Sequence, residues 1–232
     1  MPSSLAYDAV LFDNDGVLTH PTDGTTLRRA TEAAFAAVGV ADPAEEHIEA
    51  VSGSADAAEA ACETYDIDPD RFWQHHERER IAAQREALLD GTKPLYDDVA
   101  AIRELRLPCG IVSNNQHGTI EHIVDIFGLD TLFETYYGRA PSLAGFRRRK
   151  PDPYYLEQAL SDLGTRNALY VGDSRVDIAA ADRAGIDSAF IRRSHRAEYE
   201  LTQDPTYHIE TLENLHTIVA GERPPSRSSV TR

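Results

Sequence analysis

Ala9-Val10-Leu11-Phe12-Asp13-Asn14-Asp15-Gly16-Val17-Leu18 reads as a short apolar strand that runs into two acids and a glycine. A strand buried on both faces gives an unbroken apolar run of this kind. In an open α/β sheet the C-terminal end of such a strand is where ligands bind. Asp13 and Asp15 stand two apart, so in a regular strand they share a face, where two carboxylates repel unless a cation or a proton lies between them. The same four polar residues are also good turn chemistry, because Asp and Asn bond their own backbone and Gly accepts positive φ. The rest of the chain decides between the two readings.

Outward from this strand, residues 19–26 carry turn residues and read as a loop or flap. Leu27, Ala30, Thr31, Ala34, Phe35 and Val38 then lie on one helical stripe that stops at Gly39. Further helices are expected at 43–51, 55–65 and 69–89, and nothing from 27 to 90 has strand character. From Gly91-Thr92-Lys93-Pro94 onward helix and strand alternate. Helices are expected near 96–106, 117–127, 153–163, 175–184 and 211–219. Strands are expected at 109–113, 133–137, 168–171, 188–191 and 207–209, with 138–149 as a loop. Alternation of this sort predicts an α/β fold with a Rossmann-like, doubly wound parallel sheet. A small α-helical cap is inserted after the first strand. The expected organisation is a core of residues 1–18 and 93–220, a flap and helical cap over 19–92, and a disordered polar tail at 221–232.

The 232 residues carry a net charge of −16, and only Lys93 and Lys150 are lysines. So acidic a surface disfavours nucleic acid as a partner. The low-lysine, acid-rich balance resembles proteins of salt-loving archaea, where concentrated salt screens self-repulsion. No run approaches the ~18 apolar residues of a membrane span, and Met1-Pro2-Ser3-Ser4 does not begin a secretory leader. Cys62 and Cys109 form no metal-type pair and suit reduced thiols in a cytoplasmic protein. The sequence is silent on oligomeric state.

Polar residues recur at the ends of the central strands. The first ends in Asp13 and Asp15, the next in Ser113 followed by Asn114, and a later one in Gly172-Asp173-Ser174-Arg175-Val176-Asp177, with Lys150 between. Parallel strands bring these ends to one edge. In this order the residues resemble the haloacid dehalogenase superfamily of hydrolases, whose motifs are D-x-D-G, a strand-terminal Ser or Thr, a Lys, and G-D-x-x-x-D. The resemblance covers about residues 7–220. It points to the phosphoglycolate phosphatase and β-phosphoglucomutase-like subgroup with an α-helical cap, and so to a small phosphorylated substrate.

Chemistry assigns roles beside the resemblance. Asp13 is the expected nucleophile, splitting one displacement into two through an aspartyl phosphate. Asp15 is the expected proton carrier, first as acid and then as base. Ser113, Asn114 and Lys150 are expected to hold phosphoryl oxygens. Converging carboxylates and a phosphate call for a hard cation, and Mg2+ suits oxygen ligands. Its expected ligands are Asp13 and Asp173, with Asp15 contributing its backbone carbonyl as the resemblance implies. Asp177 orients Lys150 or reaches the metal through water. Residues 19–92 contain no lysine, which argues against phosphonate hydrolysis through a cap Schiff base. A sugar-phosphate mutase on the same machinery and a non-catalytic binding protein are the alternatives. The run Arg147-Arg148-Arg149 is either a solvated surface or a loop steering an anionic substrate toward Lys150, and His75 and His76 are expected to be surface or packing residues.

Overall fold

A computed structural model of the protein describes residues 5–222. The start of the chain (1–4) and residues 223–232 of the polar tail expected to be disordered lie outside the described residues. Six strands form one parallel sheet: β1 (Ala9–Phe12), β2 (Cys109–Gln116), β3 (Thr135–Arg139), β4 (Ala168–Gly172), β5 (Asp187–Ile191) and β6 (Tyr207–Ile209). The order is β3-β2-β1-β4-β5-β6, with every neighbouring pair parallel. The strand order reverses between β1 and β4, which is the place where an open α/β sheet leaves a crevice.

The strands read as continuous apolar runs because both faces are covered. Val10 and Phe12 face a cluster built with α5 (His117–Phe127), α9 (Asn214–Val219) and a 3-10 helix at Asp97–Glu104. Ala9 and Leu11 face the other cluster, built with α7 (Tyr154–Leu163) and α8 (Arg175–Ala184). The helix expected at 96–106 is a 3-10 helix over 97–104. Its buried residues Val99 and Ile102, with Leu105 following, repeat every three positions, and that period aligns on a 3-10 helix.

Between β1 and β2 lie α1 (Gly24–Ala37), α2 (Glu45–Gly53), α3 (Ala55–Thr64) and α4 (Pro69–Leu89). The first begins inside the expected loop because the Asp23 carboxylate accepts from Thr25 and Thr26 N–H. These four helices share their own apolar cluster, centred on Phe35, Phe72 and Trp73. The chain enters and leaves this layer through paired crossings. His20 N–H donates to Pro94 carbonyl at 2.9 Å and Tyr96 N–H to Leu18 carbonyl at 2.9 Å, while the His20 and Tyr96 rings stack at 4.0 Å.

The segment expected as a loop over 138–149 is partly ordered. The third strand runs to Arg139, and α6 (Leu143–Arg147) follows, with Gly145 N–H donating to its cap Ser142 at 3.0 Å. Leu143 and Phe146 plug into the apolar cluster of α1–α4. The three arginines after them have partners on the helical layer and on Tyr154. Arg147 pairs with Asp56 at 3.2 Å and Glu59 at 2.5 Å on α3. Arg149 donates to the Ser52 and Gly53 carbonyls at the end of α2, and Arg148 lies over the Tyr154 ring. Two of the three therefore fasten the helical layer to the sheet.

A buried polar joint does the same deeper in. Arg139, at the end of β3, grips Glu77 of α4 with two hydrogen bonds of 2.7 and 2.8 Å, both residues being buried. His76 packs beside them, touching Phe72 and Trp73. Both cysteines are free and buried. No helix among the described residues is long and apolar enough to cross a membrane.

Arg139→Met leaves Glu77 as an uncompensated buried charge and is expected to cost about 3–5 kcal/mol in chemical denaturation. Burial pushes the His76 imidazole down to about 4, whereas the unfolded chain takes up that proton near its ordinary value of about 6.5. The resulting stability is complete above about 6.5 and is lost as pH falls toward 4, by roughly 2–3 kcal/mol. Melting curves at pH 7 and pH 4.5 should show a larger acid-induced drop for the natural protein than for His76→Phe.

Candidate active site

Asp13 continues β1 past its last apolar residue, its N–H donating to Val171 carbonyl at 2.8 Å. The chain then folds back tightly. Asn14 carbonyl accepts from Val17, Leu18 and Thr19 N–H at 3.1, 2.8 and 3.0 Å, and its side-chain amide donates to Thr19 Oγ1 at 3.1 Å. Gly16 takes φ +84°, and a Cβ there would stand 2.2 Å from an Asp173 carboxylate oxygen. Turn chemistry and site chemistry thus coincide, because the turn is what lets Asp173 close in on the first strand.

Lys150 is the cation at the centre. Its buried Nζ lies 2.9 Å from Asp13 Oδ1 and 2.6 Å from Asp177 Oδ1. It also donates to Tyr170 Oη at 2.6 Å and Val112 carbonyl at 3.2 Å. Asn114 fixes the backbone of Lys150 from both sides, its amide donating to the Lys150 carbonyl at 3.0 Å and its oxygen accepting from the Lys150 N–H at 2.7 Å. Both ends of the Asn114 side chain thus engage the backbone of the lysine, while Asn114 also lines the cleft. Asp177 closes the capping box of α8 by accepting from Ser174 N–H at 3.0 Å. Gly172 is needed beneath it, since a Cβ would lie 2.2 Å from that of Asp177.

Burial pushes the Asp13 carboxyl up to about 7, against the pull of Lys150 and with the help of Asp177 and Asp173. Burial alone would push Lys150 down, but the Asp13 and Asp177 carboxylates outweigh it and hold the ammonium above the ordinary lysine value. Asp173 is also raised, by burial and by Asp177, with Arg196 and His195 pulling back. Both lie close: Arg196 Nε sits 3.0 Å and His195 Nε2 2.7 Å from Asp173 Oδ2.

One carboxylate oxygen from each of Asp13, Asp173 and Asp177 lies within 4.8 Å of the others. Hard oxygens so arranged fit a small divalent cation. Both Asp177 oxygens are engaged, Oδ1 with Lys150 and Oδ2 with Ser174, whereas the partners of Asp13 fall on its Oδ1 and those of Asp173 on its Oδ2. The Asp15 side chain stands apart from this group, bonded to Lys93 Nζ and, at 2.7 Å, to Asn115 Nδ2. Lys93 is fully buried and also reaches His20 carbonyl at 3.1 Å and Thr22 Oγ1 at 2.9 Å.

Asp13, Asp15, Ser113 and Asn114 line one cleft of about 290 Å³ together with Arg80, Gln84 and Arg139. Lys150, Asp173 and Asp177 adjoin Asp13 at its base. Sequence reasoning missed Lys93, Arg80, Arg139, His195 and Arg196. For Lys93 a signal existed: it is one of the chain's only two lysines, and each pairs with one of the two acids that follow β1, Lys93 with Asp15 and Lys150 with Asp13.

Three likenesses bear on this geometry. A phosphoglycolate phosphatase of Cereibacter sphaeroides is 36% identical over 132 residues, 55% of this chain and 59% of that protein. A 5'-nucleotidase of Pseudomonas aeruginosa is 26% identical over 94% of this chain and 97% of its own length. Among solved structures, CbbY from Rhodobacter sphaeroides in complex with phosphate shares the fold with a TM-score of 0.68 at 20% identity, covering 90% of this chain and 96% of that one. The family model described as haloacid dehalogenase-like hydrolase matches residues 7–185. That span takes in the first four strands and the whole helical layer, so the chain belongs to the haloacid dehalogenase-like hydrolase family.

Proposed function

We propose that the protein is a Mg2+-dependent phosphatase that hydrolyses a small phosphorylated metabolite, of the phosphoglycolate or sugar phosphate class, through an aspartyl phosphate on Asp13. The observation that carries this is the division between the two acids. Asp13 is buried against Lys150 among other acids, whereas Asp15 is held at the cleft by separate partners. A nucleophile and a proton carrier need just that separation. The named activities of the phosphoglycolate phosphatase and 5'-nucleotidase relatives support the reading.

In this mechanism the Asp13 carboxylate attacks phosphorus while Ser113 and Lys150 hold the phosphoryl oxygens. Asp15 turns from one of its present partners to give a proton to the departing oxygen. It then takes a proton from the water that hydrolyses the acyl phosphate. Asp13, Asp173 and the Asp15 carbonyl would hold Mg2+, which when bound would supply positive charge for the phosphoryl oxygens and relieve repulsion among the acids. Residues 1–18 and 93–220 act as the core and 19–92 as a cap that excludes water, with the paired crossings as its hinge. The excess of acids and the two free thiols suit a salt-rich cytoplasm.

Phosphate release from a panel of phosphomonoesters, with and without Mg2+, tests the reading. Asp13→Asn should lower kcat by at least about 10³-fold, and Asp15→Asn by about 10²–10⁴-fold. Absence of Mg2+-dependent release across the panel sinks the proposal, and sugar-phosphate isomerisation without release would assign a mutase instead. Lys93→Met frees one oxygen of Asp15 and is expected to lower kcat by up to about 100-fold with little change in KM.

A further inference from the structure

Charges around the cleft pair off one by one. Asp13 has Lys150, Asp15 has Lys93, and Glu77 holds Arg139 bidentately. Arg80 is the remainder. Among the described residues it has no carboxylate within ion-pair distance. Its Nε is buried without a hydrogen-bond partner, and its Nη1 meets only Ser52 Oγ, at 3.3 Å. Trp73, Glu77, Arg80 and Gln84 follow one another on a single stripe of α4, and Arg80, Gln84 and Arg139 line the same cleft as Asp13 and Ser113. Burial, with the neighbouring Arg139 guanidinium, pushes Arg80 down to about 10, so it stays charged at neutral pH, and the Asp15 carboxylate acts on it in the opposite direction.

A guanidinium held in this way, beside a second one whose counter-ion is already used, is unfavourable until an anion arrives. In a chain with net charge −16 no general attraction for anions explains it. The cleft, at about 290 Å³, is small enough for one compact ligand to meet both Asp13 and Arg80, which line it together.

We propose that Arg80 receives a second anionic group of the substrate, a carboxylate or a second phosphate, so that this enzyme selects phosphomonoesters carrying another negative charge a few bonds from the ester. The inference rests on the phosphatase reading for the Asp13 end of the cleft. A charge-assisted contact with planar, two-point geometry is what Arg80 offers.

Calorimetric binding in the presence of Mg2+ tests this without turnover. The probes are methylphosphonate, phosphonoacetate and methylenediphosphonate, which carry no second anion, a carboxylate and a second phosphonate. The natural protein is expected to bind at least one of the doubly anionic probes about tenfold or more tightly than methylphosphonate. Arg80→Gln should erase most of that advantage, and Arg80→Lys should restore part of it, which a merely structural role for Arg80 would not do. Metal chelation by the probes is common to all three proteins and cancels in the comparison. Whichever probe shows the larger Arg80-dependent advantage identifies the group. Equal affinity for all three probes, or an advantage that survives Arg80→Gln, overturns the proposal. A protein that shows the Arg80 effect yet releases no phosphate from any ester loses the phosphatase reading and keeps this one.

Discussion

Lys150 is an ammonium taken out of water and surrounded by oxygens: two carboxylates, a phenol and a carbonyl. Desolvating such a charge is costly, and partners on several sides must offset it. Each of those partners belongs to a different part of the fold. Asp13 ends the first strand, Val112 lies in the second, Tyr170 in the fourth, and Asp177 opens the helix after it. The lysine can be accommodated only when all of these are assembled. It therefore ties the reversal point of the sheet to the acids above it, and the acids in turn have a fixed cation to balance part of their mutual repulsion.

Asp177 shows how closely scaffold and site share parts. One of its oxygens caps the following helix through Ser174 and the other meets Lys150. A helix start and a charge relay thus use a single carboxylate. Effects of substitutions at Ser174, Asp177 and Lys150 belong to one network, where single changes do not add.

The fold was readable because its strands are covered on both faces, which leaves uninterrupted apolar runs such as Ala9–Phe12, and because turn and cap residues punctuate them. The convergence of the strand-end acids, Ser113 and Lys150 was readable because these residues sit at predictable ends of predictable elements. What escaped is contact across long stretches of chain. Nothing local in Lys93 announces its bond to Asp15, nor in Arg139 its grip on Glu77, because each depends on how the helical layer lies on the sheet. The partners of the arginines at 147–149 were hidden for the same reason: composition shows a basic run, while the partners on α2 and α3 that engage two of its members lie some ninety residues earlier. The 3-10 helix at 97–104 was missed by assuming a period of 3.6 where Val99, Ile102 and Leu105 repeat at 3.

The crossings between sheet and helical layer carry one more lesson. Lys93 sits on the outgoing crossing, and its single ammonium touches the incoming one at His20 and Thr22 and, beyond it, Asp15. Three parts of the molecule are geared through one atom. Any tilt of the four helices about these crossings has to lengthen or break one of those bonds, so the Asp15 side chain registers the tilt of the helical layer directly.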